Sequence, residues 1–466
     1  MRPNVAFDYD DLWRKDRDHF IHPWTDFANF HERGSEVMAT AEGAYVYDAK
    51  GNRFLDGIGG LWCVNIGYGR DEMAEAIVEQ VRRIPYYSPF HHLTTPPAAE
   101  LSAKLAEIAP APLNHVFWGS GGSMANDTAV RLVHFYFNRL GKTTKKKIIA
   151  RTEGYHGSTY LAAALTGQDH NKIGFDTAAD VVHHVSAPYA YRRPEGMSEA
   201  QFCDFLVDEL DQTIQKLGPE NVAAFIGEPV MGAGGVIVPP DGYQPRTKAV
   251  CEKYDVLYIA DEVVTAFGRL GHFFATEAVF GVVPDIITSA KGLTSGYLPL
   301  AATLISDAMY EVISVPQAKG AYFTHGFTYS GHPVCCAAGL KNIEIIERDR
   351  ICEHVREVGP YFEAKLGELL DLPIVGDVRG KSFMLCVENV ADKATKALLP
   401  EEARIGERIA GHCQARGLIV RPLGHLNVLS PPLILTRGEI DTLVGVLRES
   451  IEASMTELRA EGLWQG

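Results

Sequence analysis

An aspartate and a lysine follow two apolar segments in the middle of this sequence. Residues 256–260 (VLYIA) are β-branched, aromatic or small, as in a buried strand, and they end at Asp261 and Glu262. A second short run, DIIT at 285–288, leads into Lys291, 30 residues after Asp261. Ligands of open α/β sheets bind at the carboxyl ends of the strands. The pattern predicts that both side chains face one crevice, although a salt bridge at the core edge would be the simpler explanation of the pair alone.

A lysine and an aspartate in such a crevice suit pyridoxal 5′-phosphate. The cofactor needs an amine to form a Schiff base with its aldehyde, and a carboxylate that keeps its ring nitrogen protonated so that the ring accepts electrons. We therefore predict Lys291 and Asp261 as the catalytic residues.

A glycine-rich turn between a predicted strand and a predicted helix could hold the phosphate. Residues 119–127 read GSGGSMAND. Glycines allow close approach of the backbone, while the free N–H groups and the dipole of a helix start attract an anion. Such a turn is a weak signal by itself. With the lysine motif downstream, we expect Gly121, Gly122 and Ser123 to bind the phosphate.

The segments ADEVVTAFGR (260–269) and PDIITSAKGLTSGYLPLAA (284–302) resemble the signature of class III (subgroup II) aminotransferases. Within this family the resemblance is to the ω-transaminases, or amine (β-alanine):pyruvate transaminases, and it extends from about residue 23 to the last helix. It implies a fold-type I α/β enzyme with a mostly parallel seven-stranded sheet, helices on both faces and a small α+β domain from both termini. We expect an N-terminal arm and part of the small domain over 1–70, a large cofactor-binding domain over 71–332, and the rest of the small domain over 333–466.

The periodicity of the chain agrees with that fold. A hairpin is predicted over 44–62, turning at 50–52, and amphipathic helices over 72–84 and 97–108. Strand and helix patterns alternate from 115 to about 306, as in a parallel sheet. A long helix then follows 331, with a strand at 382–388 and helices near 401–415 and 437–460. Residues 1–35 are predicted to form an irregular aromatic arm, which in the resembled family packs over the active site of a dimer partner.

The resemblance assigns further cofactor contacts. Tyr155 would stack on one face of the ring and Val263 would pack on the other. Glu228 would lie near the 3-hydroxyl side of the ring, although an acid that caps a strand end is an alternative. His156 is expected to be a buried histidine bonded to the backbone, with indirect support of Asp261 as the second possibility.

Two more residues, Phe327 and Thr328, match the HGFTYSGHP segment at 325–333 that reaches the phosphate of the neighbouring subunit in the family. The expected partner is therefore a second copy of the chain, in a homodimer with shared active sites; pairing of dimers into tetramers is left open.

The substrate pocket is predicted from aromatic residues and one arginine. Trp62, Phe90 and Tyr155 match positions that line the pockets of the family, and an aromatic box favours amines with aryl or alkyl groups. Arg421 matches a mobile arginine that pairs with a substrate carboxylate and moves aside for apolar substrates. Without the resemblance, a surface ion pair would be the default interpretation of Arg421.

The chain departs from the family in its phosphate turn. The family has Ser-Gly-Ser-Glu or Ser-Gly-Ser-Asp, whereas this chain has Gly121-Gly122-Ser123-Met124 and so lacks the first hydroxyl and the acid. Weaker cofactor binding is expected. Ala266, where the family has glycine, is expected only to stiffen a turn.

Composition excludes several classes of protein. With 466 residues and a net charge of −15, the chain offers no basic surface for nucleic acid. Its 8 cysteines lack metal-site or redox-pair spacing, and no metal is expected. We find no signal-peptide core or membrane span and predict a cytoplasmic enzyme.

The predicted reaction is a ping-pong transamination with expected S-selectivity. An amine leaves its amino group on the cofactor as pyridoxamine 5′-phosphate, Lys291 moves the proton, and pyruvate then takes the amino group to give alanine. The same fold supports aminomutases and decarboxylating lyases. The altered phosphate turn also leaves open a cofactor-binding protein with little catalysis.

Overall fold

The structure, a computed structural model, describes residues 7–316 and 322–466. Its N-terminal part consists of α1 (Tyr9–His19), α2 (Phe27–Arg33), β1 (Met38–Glu42), β2 (Tyr45–Asp48), β3 (Arg53–Asp56) and α3 (Gly59–Trp62). The β2–β3 hairpin confirms the hairpin predicted over 44–62.

The N-terminal arm is more regular than the sequence predicted. Asp8 and Asp26 accept hydrogen bonds from the backbone N–H groups of Asp11 and Ala28, so each aspartate caps a helix start. The prediction of an irregular arm was therefore wrong for α1 and α2. Residues 1–6 of the predicted arm lie outside the described residues.

The central part of the chain alternates between helices and strands. In order these are α4 (Asp71–Arg83), α5 (Pro96–Ile108), β4 (His115–Gly119), α6 (Gly122–Arg139), β5 (Lys147–Arg151), α7 (Tyr160–Leu165), β6 (Val182–Val185), α8 (Glu199–Leu217), β7 (Val222–Gly227), α9 (Tyr243–Lys253), β8 (Leu257–Asp261), α10 (Ala275–Phe280), β9 (Ile286–Ser289), β10 (Ala301–Ile305) and α11 (Asp307–Ile313).

These strands form one seven-stranded sheet in the order β4-β10-β9-β8-β7-β5-β6. Of the described strands in this sheet, β10 alone runs opposite to the rest, which confirms a mostly parallel sheet. Every residue of β7, β8, β9 and β10 is buried, as expected for strands covered on both faces. Asp261 pairs with Thr288, so β8 and β9 end at the same edge of the sheet.

The C-terminal part completes the small domain. It contains α12 (Pro333–Arg348), α13 (Ile351–Gly367), β11 (Val375–Lys381), β12 (Met384–Asn389), α14 (Ile405–Ala415), β13 (Leu418–Ile419), β14 (Arg421–Leu423), β15 (Leu426–Leu429) and α15 (Arg437–Ala460). Strand β13 pairs in parallel with β3, which joins the two ends of the chain in one sheet. A second sheet has the order β11-β12-β15-β14. The predicted small domain from both termini is confirmed, while its boundaries at 70 and 332 stay a prediction.

Three features were not anticipated from the sequence. The edge strand β6 carries two histidines, which weaken its apolar pattern. The long helix predicted after 331 is two helices, because Arg350 adopts a left-handed conformation (φ +53°) and interrupts it. Strands β13–β15 are only two to four residues long and give no periodic signal.

A fully buried arginine, Arg269, joins the large and small domains. Its guanidinium donates hydrogen bonds to the carbonyl oxygens of Phe383 and Pro431 and to Oδ1 of Asn65. Burial lowers the pKa of Arg269 to about 9. The arginine of the motif ADEVVTAFGR therefore has a structural role beneath the crevice.

All eight cysteines are free thiols. No helix within 7–316 or 322–466 combines the length and apolar character needed to cross a membrane.

Candidate active site

A cavity of about 800 Å³ lies at the carboxyl edge of the seven-stranded sheet, where β14 of the small domain covers it. The ends of β5, β7, β8 and β9 contribute its floor, together with the first turn of α6. Ten of the residues predicted from the sequence line it: Trp62, Gly122, Ser123, Tyr155, His156, Glu228, Asp261, Val263, Lys291 and Arg421.

Lys291 enters the cavity directly after β9. Its backbone is left-handed (φ +42°) and opens a short 3₁₀ turn, Lys291–Leu293. Within the described ranges, its ammonium makes no hydrogen bond or ion pair. Burial lowers the pKa of Lys291, and the charge of Asp261 opposes this shift. A lysine that is unpaired and has a lowered pKa is well suited to react as a free amine.

Asp261 ends β8 and is 4% exposed. Its Oδ2 lies 2.8 Å from Nδ1 of His156 and accepts a hydrogen bond of 2.8 Å from Nδ2 of Asn126. Its Oδ1 accepts the backbone N–H of Val263 at 3.1 Å. Three contacts thus fix the carboxylate before any ligand binds.

Glu228 follows β7 and is also fixed by backbone donors. Its Oε1 accepts the N–H of Tyr155 at 3.1 Å and its Oε2 accepts the N–H of Gly232 at 2.7 Å. Burial raises the pKa of Glu228. Its carboxylate ties the loop that bears Tyr155 to the loop after β7.

The phosphate turn is compact. Helix α6 begins at Gly122, and Oγ of Ser123 accepts the N–H of Ser158 at 3.1 Å. A Cβ on Gly157 (φ +135°) would lie 2.4 Å from that hydroxyl, so only glycine fits there. Gly121 caps the helix just outside the cavity lining, and a Cβ added to it would meet nothing within 4 Å.

Trp62 lies near two cations. The Nζ of Lys291 lies 5.8 Å from the centre of the Trp62 ring and the guanidinium of Arg421 lies 6.0 Å from it. Burial lowers the pKa of Arg421. Among the described residues the guanidinium of Arg421 has no hydrogen bond or ion pair, so the default interpretation of a surface ion pair does not hold.

Comparisons with known proteins agree with this geometry. The family profile of aminotransferase class-III matches residues 30–451. A putrescine–pyruvate aminotransferase of Pseudomonas aeruginosa is 40% identical over 95% of this chain and 96% of its own length. The crystal structure of a thermostable (S)-enantioselective ω-transaminase from Thermomicrobium roseum has a TM-score of 0.93 and 43% identity, covering 97% of this chain and 100% of that one. An ω-transaminase of Pseudomonas jessenii in complex with PMP has a TM-score of 0.93 and 41% identity over 96% of this chain and 98% of its own.

The chain belongs to the class III aminotransferases. The family resemblance, the fold-type I architecture and the aminotransferase activity predicted from the sequence are thereby confirmed. Enzymes of this class depend on pyridoxal phosphate.

Three predicted site residues of this aminotransferase lie elsewhere. Phe90 is 44% exposed, packs beside Gly326 and does not line this cavity with Trp62 and Tyr155, so its place in a substrate pocket stays a prediction. Thr328 accepts a hydrogen bond from the hydroxyl of Tyr86 through its carbonyl. Phe327 packs against Phe117 and His325. All three occupy a surface outside the cavity.

Several residues of the aminotransferase site were missed from the sequence. The sequence pattern identifies Asn126 only as part of the phosphate turn and Thr288 only as part of a strand. Trp24, from the arm, lines the cavity and lies 5.9 Å from the Tyr155 ring. The Nδ1 atom of His156 lies 2.8 Å from Oδ2 of Asp261 and not beside a backbone group, so its second predicted possibility describes the contact.

A buried ionic cluster adjoins the mouth of the cavity. Glu388 on β12 is fully buried and accepts hydrogen bonds from Tyr189, Arg192 and Arg379. His425, in the β14–β15 turn, lies 3.4 Å from the same carboxylate. Tyr189, Arg192 and His425 also line the cavity, so the cluster links a large-domain segment to the strand pair that carries Arg421.

Proposed function

We propose that this aminotransferase moves an amino group from a primary amine or ω-amino acid to pyruvate, with pyridoxal phosphate bound by Lys291 and Asp261. One observation carries the proposal: an unpaired lysine amine shares a cavity with an aspartate whose carboxylate is held by three contacts.

The residues present fit the cofactor. The free N–H groups at the start of α6, with the Ser123 hydroxyl, form a cradle for a phosphate. Tyr155 and Val263 provide a flat ring and an apolar side chain for the two faces of the pyridine ring. Glu228 would offer its carboxylate on the 3-hydroxyl side of the ring. A lysine amine is required by the aldehyde and a carboxylate by the ring nitrogen.

Bound pyridoxal phosphate would supply an aldehyde that takes up the amino group and a ring that withdraws electrons. Lys291 would hold the cofactor at rest and, once released, move a proton from the amine-bearing carbon. Its lowered pKa favours the neutral amine that accepts this proton. Asp261 would keep the ring nitrogen protonated. Donor and acceptor would use the same cavity in turn, in a ping-pong order.

The substrate class follows from the cavity and the relatives. Trp62 and Tyr155 offer aromatic walls for the carbon skeleton of an amine, and Arg421 offers a guanidinium for the carboxylate of pyruvate. A relative is described as acting on putrescine and pyruvate, and a similar structure as (S)-enantioselective. We extend both properties to this chain.

We also propose a cytoplasmic homodimer with shared sites. Phe90, Phe327 and Thr328 lie together near exposed aromatic residues, with Tyr87 51% and Tyr329 59% exposed. Such a patch is typical of an interface. There Phe327 and Thr328 would reach the phosphate of the neighbouring subunit, and Phe90 would reach its substrate pocket.

The test is a panel of amine donors with pyruvate as acceptor, in which alanine and the ketone or aldehyde are both quantified. Stoichiometric formation of both products is expected, and Lys291→Ala should abolish it. Retained turnover in Lys291→Ala would overturn the assignment of Lys291. Product formation without pyruvate would instead favour an aminomutase.

A further inference from the structure

We infer that Asn126, held by Thr288, is a positioning residue that orients the Asp261 carboxylate toward the cofactor ring. The inference rests on the proposed function, because it assumes that Asp261 faces the ring nitrogen of pyridoxal phosphate.

The amide of Asn126 is fully engaged. Its Nδ2 donates to Oδ2 of Asp261 at 2.8 Å and to the carbonyl oxygen of His156 at 2.7 Å. Its Oδ1 accepts the hydroxyl proton of Thr288 at 2.7 Å. If the amide were flipped, its oxygen would face two hydrogen-bond acceptors, Oδ2 of Asp261 and the carbonyl oxygen of His156. Asn126 therefore has one permitted orientation, with its oxygen toward the hydroxyl of Thr288.

This orientation determines which oxygen of Asp261 is free. Oδ2 is contacted by Asn126 and His156, whereas Oδ1 accepts, from the described residues, only the N–H of Val263. Since a carboxylate oxygen has two lone-pair sites, Oδ1 keeps one for a ligand. Without the amide, Oδ2 would be contacted by His156 alone.

The position of Asn126 also links the two ends of the cofactor site. Asn126 lies in the first turns of α6, whose start bears Gly122 and Ser123 of the phosphate cradle. Thr288 pairs with Asp261 across β8 and β9. Asn126 is 1% exposed and Thr288 is fully buried, so packing holds both in place. One rigid helix thereby fixes the distance between the phosphate cradle and the carboxylate.

The experiment uses Asn126→Leu, which keeps the approximate size and removes the amide, and Thr288→Val, which removes only the hydroxyl. Thr303→Val is the matched control, because Thr303 is an equally buried threonine whose hydroxyl bonds the Ala125 carbonyl and not the Asp261 network. The apparent dissociation constant of pyridoxal phosphate and the pH titration of its visible absorbance are measured for each purified holoenzyme.

Asn126→Leu should weaken cofactor binding by about 10- to 100-fold, as expected for a lost hydrogen bond to a charged group, and should shift the midpoint of the absorbance titration. Thr288→Val should change both quantities in the same direction by about 3-fold or more, and the double variant should match Asn126→Leu because the two residues act in series. Thr303→Val should lower thermal stability only.

The outcomes separate the inference from the proposed function. A wild-type protein that binds no pyridoxal phosphate overturns the proposed function and the inference with it. A wild type that binds, with Asn126→Leu within about 2-fold in affinity and unchanged in midpoint, overturns the inference alone. If Asn126→Leu does not fold, Thr288→Val decides: a result identical to Thr303→Val overturns the inference.

Discussion

The ammonium of Lys291 lies 5.8 Å from the centre of the Trp62 ring, and the guanidinium of Arg421 lies 6.0 Å from the same ring. Trp62 is 2% exposed and a Cβ on Gly232 would come within 2.6 Å of it, so it cannot move easily. A substrate would place its reacting carbon near Lys291 and its carboxylate near Arg421, with the indole ring close to both.

Replacing Arg421 by alanine should discriminate between substrates. The catalytic efficiency, kcat/KM, for pyruvate and β-alanine should fall by about 10- to 100-fold, since a hydrogen-bonded charge pair is lost. The value for 1-phenylethylamine, which has no carboxylate, should change by less than about 3-fold. Half-reactions measured separately for each substrate provide the comparison. Equal losses for the three would remove the dual role assigned to Arg421.

Replacing Lys291 by methionine should stabilise the apoprotein near neutral pH. Burial lowers the pKa of Lys291 below its ordinary value of 10.5, so the charged ammonium lowers the free energy of unfolding of the apoprotein. This destabilisation is complete at low pH and has disappeared once the pH rises above 10.5. Methionine removes this destabilisation. Thermal unfolding should show a higher midpoint for the variant at pH 7 and a smaller difference at pH 10. A variant that is less stable at pH 7 would contradict the expectation.

Replacing Gly121 by serine should tighten cofactor binding. Gly121 has extended backbone angles (φ −172°, ψ 162°) that any residue adopts, and the space around its missing Cβ is open. The new hydroxyl would restore the donor that the family has in this turn. A gain in affinity of about 3- to 10-fold is expected, as for one added hydrogen bond. Titration of the apoprotein with pyridoxal phosphate measures it, with Gly411→Ser, a helical glycine with equally open space, as control. Unchanged affinity would place the phosphate elsewhere.

Replacing Glu388 by glutamine should destabilise the fold in a pH-dependent manner. Burial by itself would raise the pKa of Glu388, but hydrogen bonds from His425 and the charge of Arg379 lower it well below the ordinary value of 4.5. The stability that the carboxylate contributes is therefore complete above pH 4.5 and is lost as pH falls further.

At pH 7 the Glu388→Gln variant should lose about 3–5 kcal/mol of unfolding free energy, because Arg192 and Arg379 would lose their charged partner. The difference between the variant and the wild type should shrink at pH 3. Thermal unfolding of both proteins at pH 7 and pH 3 measures this difference. Equal losses of stability in the two proteins on acidification would contradict the expectation that folding lowers the pKa of Glu388.

Local signals were sufficient to predict the parallel sheet and the catalytic pair. The buried strands β7 to β10 are nearly uninterrupted apolar runs, and Asp261 and Lys291 follow two of them. The sequence left two possible roles open for His156, because its partner Asp261 is 105 residues away along the chain. Asn126 was missed for the same reason: nothing in GSGGSMAND shows which of its side chains turns inward toward β8.

Other failures have local causes. Helices α1 and α2 bury no residue, so no core contact reveals them, and the capping aspartates Asp8 and Asp26 are the local signal of where they begin. Phe90 matches a pocket position of the family, but a sequence does not state in which copy of the chain that pocket lies.

Arg269 also has a consequence for protein engineering. Its guanidinium donates hydrogen bonds to Asn65, Phe383 and Pro431, which are far apart in the sequence. A fragment of residues 71–332 would keep Arg269 but lose these three acceptors, whose hydrogen bonds compensate for the burial of its charge. Chimeras that exchange catalytic modules between related enzymes should therefore transfer these four positions as one inseparable set.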